Sequence, residues 1–173
     1  MKILASVLLA GFVMFGQQAI AKESPPAEKI GDWKFATNPD DITNTIGYSI
    51  STISDANNSF LSITCFNNNN DRLAGFATGQ SLRDTQSDTK DFIITKVDNK
   101  DEITYLWRIK SMNGLDVLMS AEVDNFLKDL KNGNRLFFGV LSERGTHLKT
   151  AHFSLIGFDK SYQKLQSLCH FKE

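Results

Sequence analysis

In Phe60-Leu61-Ser62-Ile63-Thr64-Cys65 the residues Leu61, Ile63 and Cys65 share one face of an extended chain, while Ser62 and Thr64 share the other. The same period of two runs through Ile103 to Ile109, where the odd positions are all apolar and Thr104 and Arg108 are polar. Cys65 and Trp107 are thereby placed on core-facing sides. Short segments rich in β-branched and aromatic residues, set apart by Asn, Asp and Gly, predict strands near 32–37, 46–53, 59–66, 72–78, 91–97, 102–109, 115–119, 135–142 and 147–156. The breaks carry turn chemistry: Asn67 to Asp71, the four residues Asp98-Asn99-Lys100-Asp101, and Asn113-Gly114 after Met112. Pairing of neighbours in sequence, and hence an antiparallel sheet, follows as the simplest topology.

Two stretches change period. Between Ala121 and Lys131 the residues Val123, Phe126, Leu127 and Leu130 fall on one helical stripe, with Ser120 as expected N-cap and Asn132-Gly133 as stop. A second helix is predicted from about Lys160 to Cys169, with Asp159 as N-cap and Tyr162, Leu165, Leu168 and Cys169 on one side. The longest polar connection is 79–90.

At the start of the chain, Met1-Lys2, the apolar run Ile3 to Phe15 and the Ala19-Ile20-Ala21 site have the order of a signal peptide. Its apolar run is shorter than the roughly 20 residues a membrane span needs. Cleavage after Ala21 is expected, followed by a flexible lead-in over 22–30 and one β-rich domain over 31–173, with no integral membrane span in the mature chain. The expected fold is mainly β (α+β): a single antiparallel β-sandwich or barrel-like domain with two short helices. Periplasmic localisation follows from the leader.

Composition narrows the function. A formal net charge of −1 and the absence of any concentrated run of Lys or Arg argue against nucleic acid. The two cysteines, Cys65 and Cys169, read as one disulfide in an exported protein, which would pin the C-terminal helix to the strand bearing Cys65. Closing that loop is worth about 4–5 kcal/mol in the chain-entropy treatment, as an upper figure.

Catalytic signatures are missing from the sequence. It has no G-x-S-x-G elbow, H-E-x-x-H motif, phosphate loop or dinucleotide glycine pattern. His147 and His152 are five apart on a predicted strand, so they face opposite sides. No cofactor and no metal site are expected, and the expected activity is binding rather than catalysis. Asp40 and Asp41, in the Asn38-Pro39-Asp40-Asp41 loop, are the candidate interaction loop, although turn chemistry also explains them. Of the adjacent Phe137 and Phe138, one should face outward.

Several short motifs together resemble the periplasmic accessory proteins of type VI secretion known as VasI or TagO. Gly31-Asp32-Trp33 resembles that family's G-x-W opening, Asn38-Pro39-Asp40-Asp41 its S-P-x-D-D loop, and Leu61 to Cys65 its L-x-x-x-C strand. Asp98 with Trp107 and Ser111, Phe126-Leu127-Lys128-Asp129-Leu130, and Phe153-Ser154-Leu155-Ile156-Gly157 with Leu165 and Cys169 are similar to its later motifs. The resemblance implies a periplasmic accessory protein whose partner is an envelope or secretion-machinery protein, and it carries over no catalytic residue. Gly31-Asp32-Trp33 also resembles the start of invasion-associated exported β-domain proteins, which carry a cysteine soon after the tryptophan where this chain has none. A small envelope hydrolase using carboxylates is the third class.

Overall fold

The computed structural model of the chain describes residues 26–40, 45–56, 58–67, 72–78, 90–112, 115–120, 123–141 and 147–169. Ten strands and two helices follow in order: β1 (Glu28–Ile30), β2 (Trp33–Asp40), β3 (Thr45–Ile53), β4 (Ser59–Phe66), β5 (Arg72–Thr78), β6 (Lys90–Val97), β7 (Ile103–Met112), β8 (Leu115–Ser120), α1 (Asp124–Leu130), β9 (Arg135–Leu141), β10 (His147–Ser154) and α2 (Phe158–Cys169). The nine strands expected from periodicity correspond to β2 to β10. Strand β1 lies inside the segment read as a lead-in, because three residues with a single buried member, Ile30, offer no period to detect. Gly31 turns the chain at φ +62° and pairs Ile30 with Trp33.

Every pairing is antiparallel, in the order β1-β2-β3-β4-β5-β8-β7-β6-β9-β10. Pairing of sequence neighbours, expected throughout, breaks at two places: β5 bonds β8, and β6 bonds β9. The exchange sets β5 and β6 three places apart in the order, with β8 and β7 between them.

The ladder does not lie flat. Phe76 of β5 and Phe138 of β9 are four strands apart in the order, roughly 19 Å in a flat sheet, yet their rings stack at 4.3 Å. The sheet therefore folds over into two facing halves, an antiparallel sandwich around one core. Trp33, Trp107, Phe76, Phe126, Phe138 and Phe153 are among the fully buried side chains there, each worth about 1.5–3 kcal/mol of burial. Leu61, Ile63 and Cys65 point inward as their alternation requires.

Both helices cover the core. Phe126 of α1 meets the Trp107 ring edge-on at 5.3 Å. Helix α1 starts later than its stripe suggests, at Asp124, and its cap Val123 makes no side-chain bond. Ser120 ends β8 instead, paired with Ala74, because the ladder hydrogen bonds outcompete a local cap. Helix α2 begins at Phe158, so Asp159 is in the first turn rather than the cap, and its carboxylate accepts the Asn132 N–H at 3.2 Å. Tyr162, Leu165 and Cys169 are buried along one side. Cys169 is bonded to Cys65 across a sequence separation of 104, with the Cα atoms 6.3 Å apart. The last helix is thus fixed to β4.

Candidate functional site

The outward faces of the second half carry the features available to a ligand. Along β6, Ile93, Thr95 and Val97 point inward, which turns Phe92, Ile94 and Lys96 outward. Register then builds rows across strands: Phe92 lies opposite Leu106 of β7 and Leu141 of β9, and Lys96 lies opposite Phe137. Phe92 is 51% exposed and Leu106 48%, although both sit on interior strands of the ladder. Arg108, one register step beyond Leu106 on the same face, is exposed and makes no ion pair or hydrogen bond among the described residues.

At the other end of β6 the face becomes polar and aromatic. A groove of about 650 Å³ is lined by Lys96, Asn99, Glu102, Arg135, Phe137 and His152, with Asp98 at its turn. Phe137 and His152 are cross-strand partners whose ring centroids are 5.3 Å apart. Phe138 is fully buried, so the adjacent phenylalanines divide between core and outer face as alternation demands. Asp98 is occupied: with φ 52° it accepts the Arg135 N–H at 2.9 Å and the Asn134 N–H at 3.0 Å, which joins the β6–β7 turn to the start of β9.

A second groove, about 410 Å³, is lined by a separate set of residues. It holds Lys29, Lys34, Asp32, Asp55 and Ser51, together with the Ile53 and Phe60 side chains, which face each other across β3 and β4. The Arg135–Asp55 ion pair, 2.6 Å, links one lining residue of each groove. The Asp55 N–H donates to the His152 carbonyl at 2.9 Å, the Trp33 indole N–H to the Ser154 carbonyl at 3.1 Å, and the Asp32 N–H to the Ile156 carbonyl at 2.9 Å. These bonds stitch β10 to the β2–β3 end of the ladder and form the floor of a seam.

Among the titratable groups, Tyr105 stands apart. Burial, then its hydrogen bond to the Asp129 carboxylate and that charge, hold its phenol neutral well above the ordinary tyrosine range. The pair ties β7 to α1 beneath the sheet surface. Trp107 Nε1 is buried without a hydrogen-bond partner among the described residues, its ring held edge-on by Phe126 and Phe138. Among the described residues no group of three or more His, Cys, Asp and Glu could hold a metal ion.

The candidate interaction loop divides at the edge of the description. Asp40 ends β2 opposite Thr45, while Asp41 lies outside the described residues, as does the expected leader. His147 opens β10, which is irregular between His147 and Lys149, and the His152 ring lies against Phe137. Periodicity missed the outward row because β6 reads Phe92-Ile93-Ile94-Thr95, apolar on both faces. Leu106, the one apolar residue among the even positions 104, 106 and 108, was the available signal.

Fold and surface together define a disulfide-stapled antiparallel β-sandwich that presents its chemistry on outer sheet faces and at one seam. Among the described residues no helix is long and apolar enough to cross a membrane. No family model and no curated protein matches the chain. Among solved structures it is similar to the crystal structure of invasion associated protein b from Bartonella henselae, with 14% identity and a TM-score of 0.60, covering 83% of this chain and 97% of that one. At that identity the likeness establishes the fold.

Proposed function

We propose that the chain is an exported periplasmic binding protein that supports an envelope assembly through protein–protein contact, not catalysis. The carrying observation is the outward row Leu106–Phe92–Leu141 on interior strands. Contiguous exposed apolar surface on a folded domain marks an interaction site, and Arg108 beside it adds an exposed guanidinium, with no partner among the described residues, of the kind enriched at interfaces. Export rests on the leader pattern and on the disulfide, a bond of oxidising compartments. The family resemblance makes type VI secretion machinery the assembly served, with the Asp40–Asp41 corner as a second candidate contact. The similarity to invasion associated protein b favours a second reading, an invasion-associated-type exported β-domain of unidentified ligand.

Chromosomal replacement by the double variant Phe92→Ser, Leu106→Ser tests the contact. The variant should reach normal periplasmic levels while effector secretion falls and a crosslinked partner disappears. Secretion and envelope integrity both at wild-type levels, with the same crosslinks, would refute the reading.

A further inference from the structure

The outer face of β1 to β4 sets two unlike rows side by side. Trp33, Phe35, Ile50, Thr52 and Leu61 point inward, which turns Lys34, Ser51, Ile53 and Phe60 outward, and buried Ile30 does the same for Lys29. Register aligns Lys29 with Lys34, Lys34 with Ser51, and Ser51 with Ser62, four donor side chains in one cross-strand row. One step further along the same face Ile53 lies opposite Phe60, and Phe60 opposite Ala77, an apolar row. Ile53 is 49% exposed and Phe60 42%. The groove of about 410 Å³ draws on both rows, with Lys29, Lys34 and Ser51 from the first and Ile53 and Phe60 from the second.

The lysines select the sign of what enters. Like charges directly opposed across a strand pair repel, and neither ammonium has an ion pair or hydrogen bond among the described residues. Of the two carboxylates lining the groove, Asp55 is engaged by Arg135, which leaves exposed Asp32, and that carboxylate pairs with neither lysine. Two free ammonium groups against one free carboxylate favour an anion. Ser51, opposite Lys34, has an uncommitted hydroxyl to donate to it, whereas Thr52 donates to the Asp32 carbonyl and Ser54 to the Asn58 side chain. The adjoining Ile53 and Phe60 side chains offer no polar group, and an alkyl chain laid over them gains burial of apolar area. A small hydrophilic anion would leave that row wet, and a neutral hydrocarbon would leave the lysines unopposed.

We infer that this groove binds a single-chain anionic amphiphile, its phosphate or carboxylate head between Lys29 and Lys34 with a hydrogen bond from Ser51, and its alkyl chain across Ile53 and Phe60. The groove volume falls in the range of small-ligand sites. The site lies on β1 to β4, apart from the Leu106–Phe92–Leu141 row on β7, β6 and β9, so it stands independently of the protein contact proposed above.

Amide NMR titration of the isotope-labelled mature protein with octyl phosphate and with octanoate, each below its micelle concentration, tests the site. Octyl glucoside supplies the same chain on a neutral head, and glycerol 3-phosphate a phosphate without the chain. One or both anionic amphiphiles should shift the Lys34, Ser51, Ile53 and Phe60 resonances, with an affinity that added salt weakens and that exceeds either control by about fivefold or more. The tighter of the two identifies the source, octyl phosphate a phospholipid-type head and octanoate a fatty acid. Lys34→Gln should weaken binding about threefold, Phe60→Ala about fivefold, and Asp32→Asn should strengthen it about twofold. All three side chains are exposed and make no hydrogen bond or ion pair among the described residues, so the variants keep the fold. No shifts with either anion, a control that binds as tightly as the anionic amphiphiles, or affinity unchanged in either Lys34→Gln or Phe60→Ala would each overturn the inference.

Discussion

Gly31 and Gly157 meet backbone to backbone. A Cβ on Gly31 would stand 2.4 Å from the Ile156 carbonyl oxygen and 2.9 Å from the Gly157 Cα, and a Cβ on Gly157 would stand 2.2 Å from the Ile30 carbonyl oxygen. Both residues also have positive φ, +62° and +89°. This contact brings the β1–β2 turn against the start of α2 and sets the path along which β10 closes on β2. Gly31→Ala and Gly157→Ala should each cost about 2 kcal/mol or more, from backbone strain plus a steric clash with main-chain atoms. Gly47→Ala is the contrast, since its nearest neighbour is the partly exposed Phe66 ring at 3.3 Å. Urea unfolding of the three variants checks the ranking, which fails if Gly47→Ala is the worst.

The Cys65–Cys169 bond should matter most for α2. Replacing both cysteines by alanine is expected to cost about 2–5 kcal/mol, with amide exchange rising first in α2. Core packing of Phe158, Tyr162 and Leu165 should keep the helix formed at low temperature. Intact mass before and after reduction, combined with thiol labelling, reports the bond itself. Two free thiols in protein purified from the periplasm would contradict it.

Alkaline stability should depend on Tyr105. Its folded-state pKa is raised, so below the ordinary value of 10.0 the phenol is neutral in both the folded and unfolded chains and its stabilisation is complete. Above 10.0 the unfolded chain releases the proton first, and stability falls as pH rises toward the folded value. Tyr105→Phe should lose about 1 kcal/mol at neutral pH, from the missing hydrogen bond to Asp129. It should also show a shallower decline above pH 10 than the wild type. Unfolding curves in denaturant between neutral pH and pH 11 distinguish the two, and parallel declines would rule out the coupling.

Asp98 braces a turn through charge on backbone N–H groups. Asp98→Ala removes the acceptor for Asn134 and Arg135 and should cost about 1–3 kcal/mol. Asp98→Asn should recover part of that, because asparagine tolerates the positive φ and keeps one acceptor oxygen. Thermal unfolding gives the order wild type, Asn, Ala; equal losses would show that the carboxylate oxygens do not hold the turn.

Local alternation and helical spacing were enough to place β2 to β10, the core faces of Cys65 and Trp107 and the Phe137–Phe138 division, while the cysteine pairing followed from there being only two cysteines. Those strand and face assignments depend on which way successive side chains point, and that is a property of the nearby chain. Sequence reading failed where longer-range bonds compete with local preference. Ser120 is drawn from a helix cap into the ladder by Ala74, Asp159 is used by Asn132, and β1 exists because Trp33 and α2 give Ile30 somewhere to pack. The exchange that sets β5 beside β8 has no local signature at all. The seam was equally hidden, because the β3–β4 turn with Asp55, the start of β9 with Arg135 and β10 with His152 are three separate stretches of chain that become neighbours when the ladder folds over. Local sequence determines strand and face; partners distant in sequence are chosen by the free energy of closing one core, and only the folded molecule reports that choice.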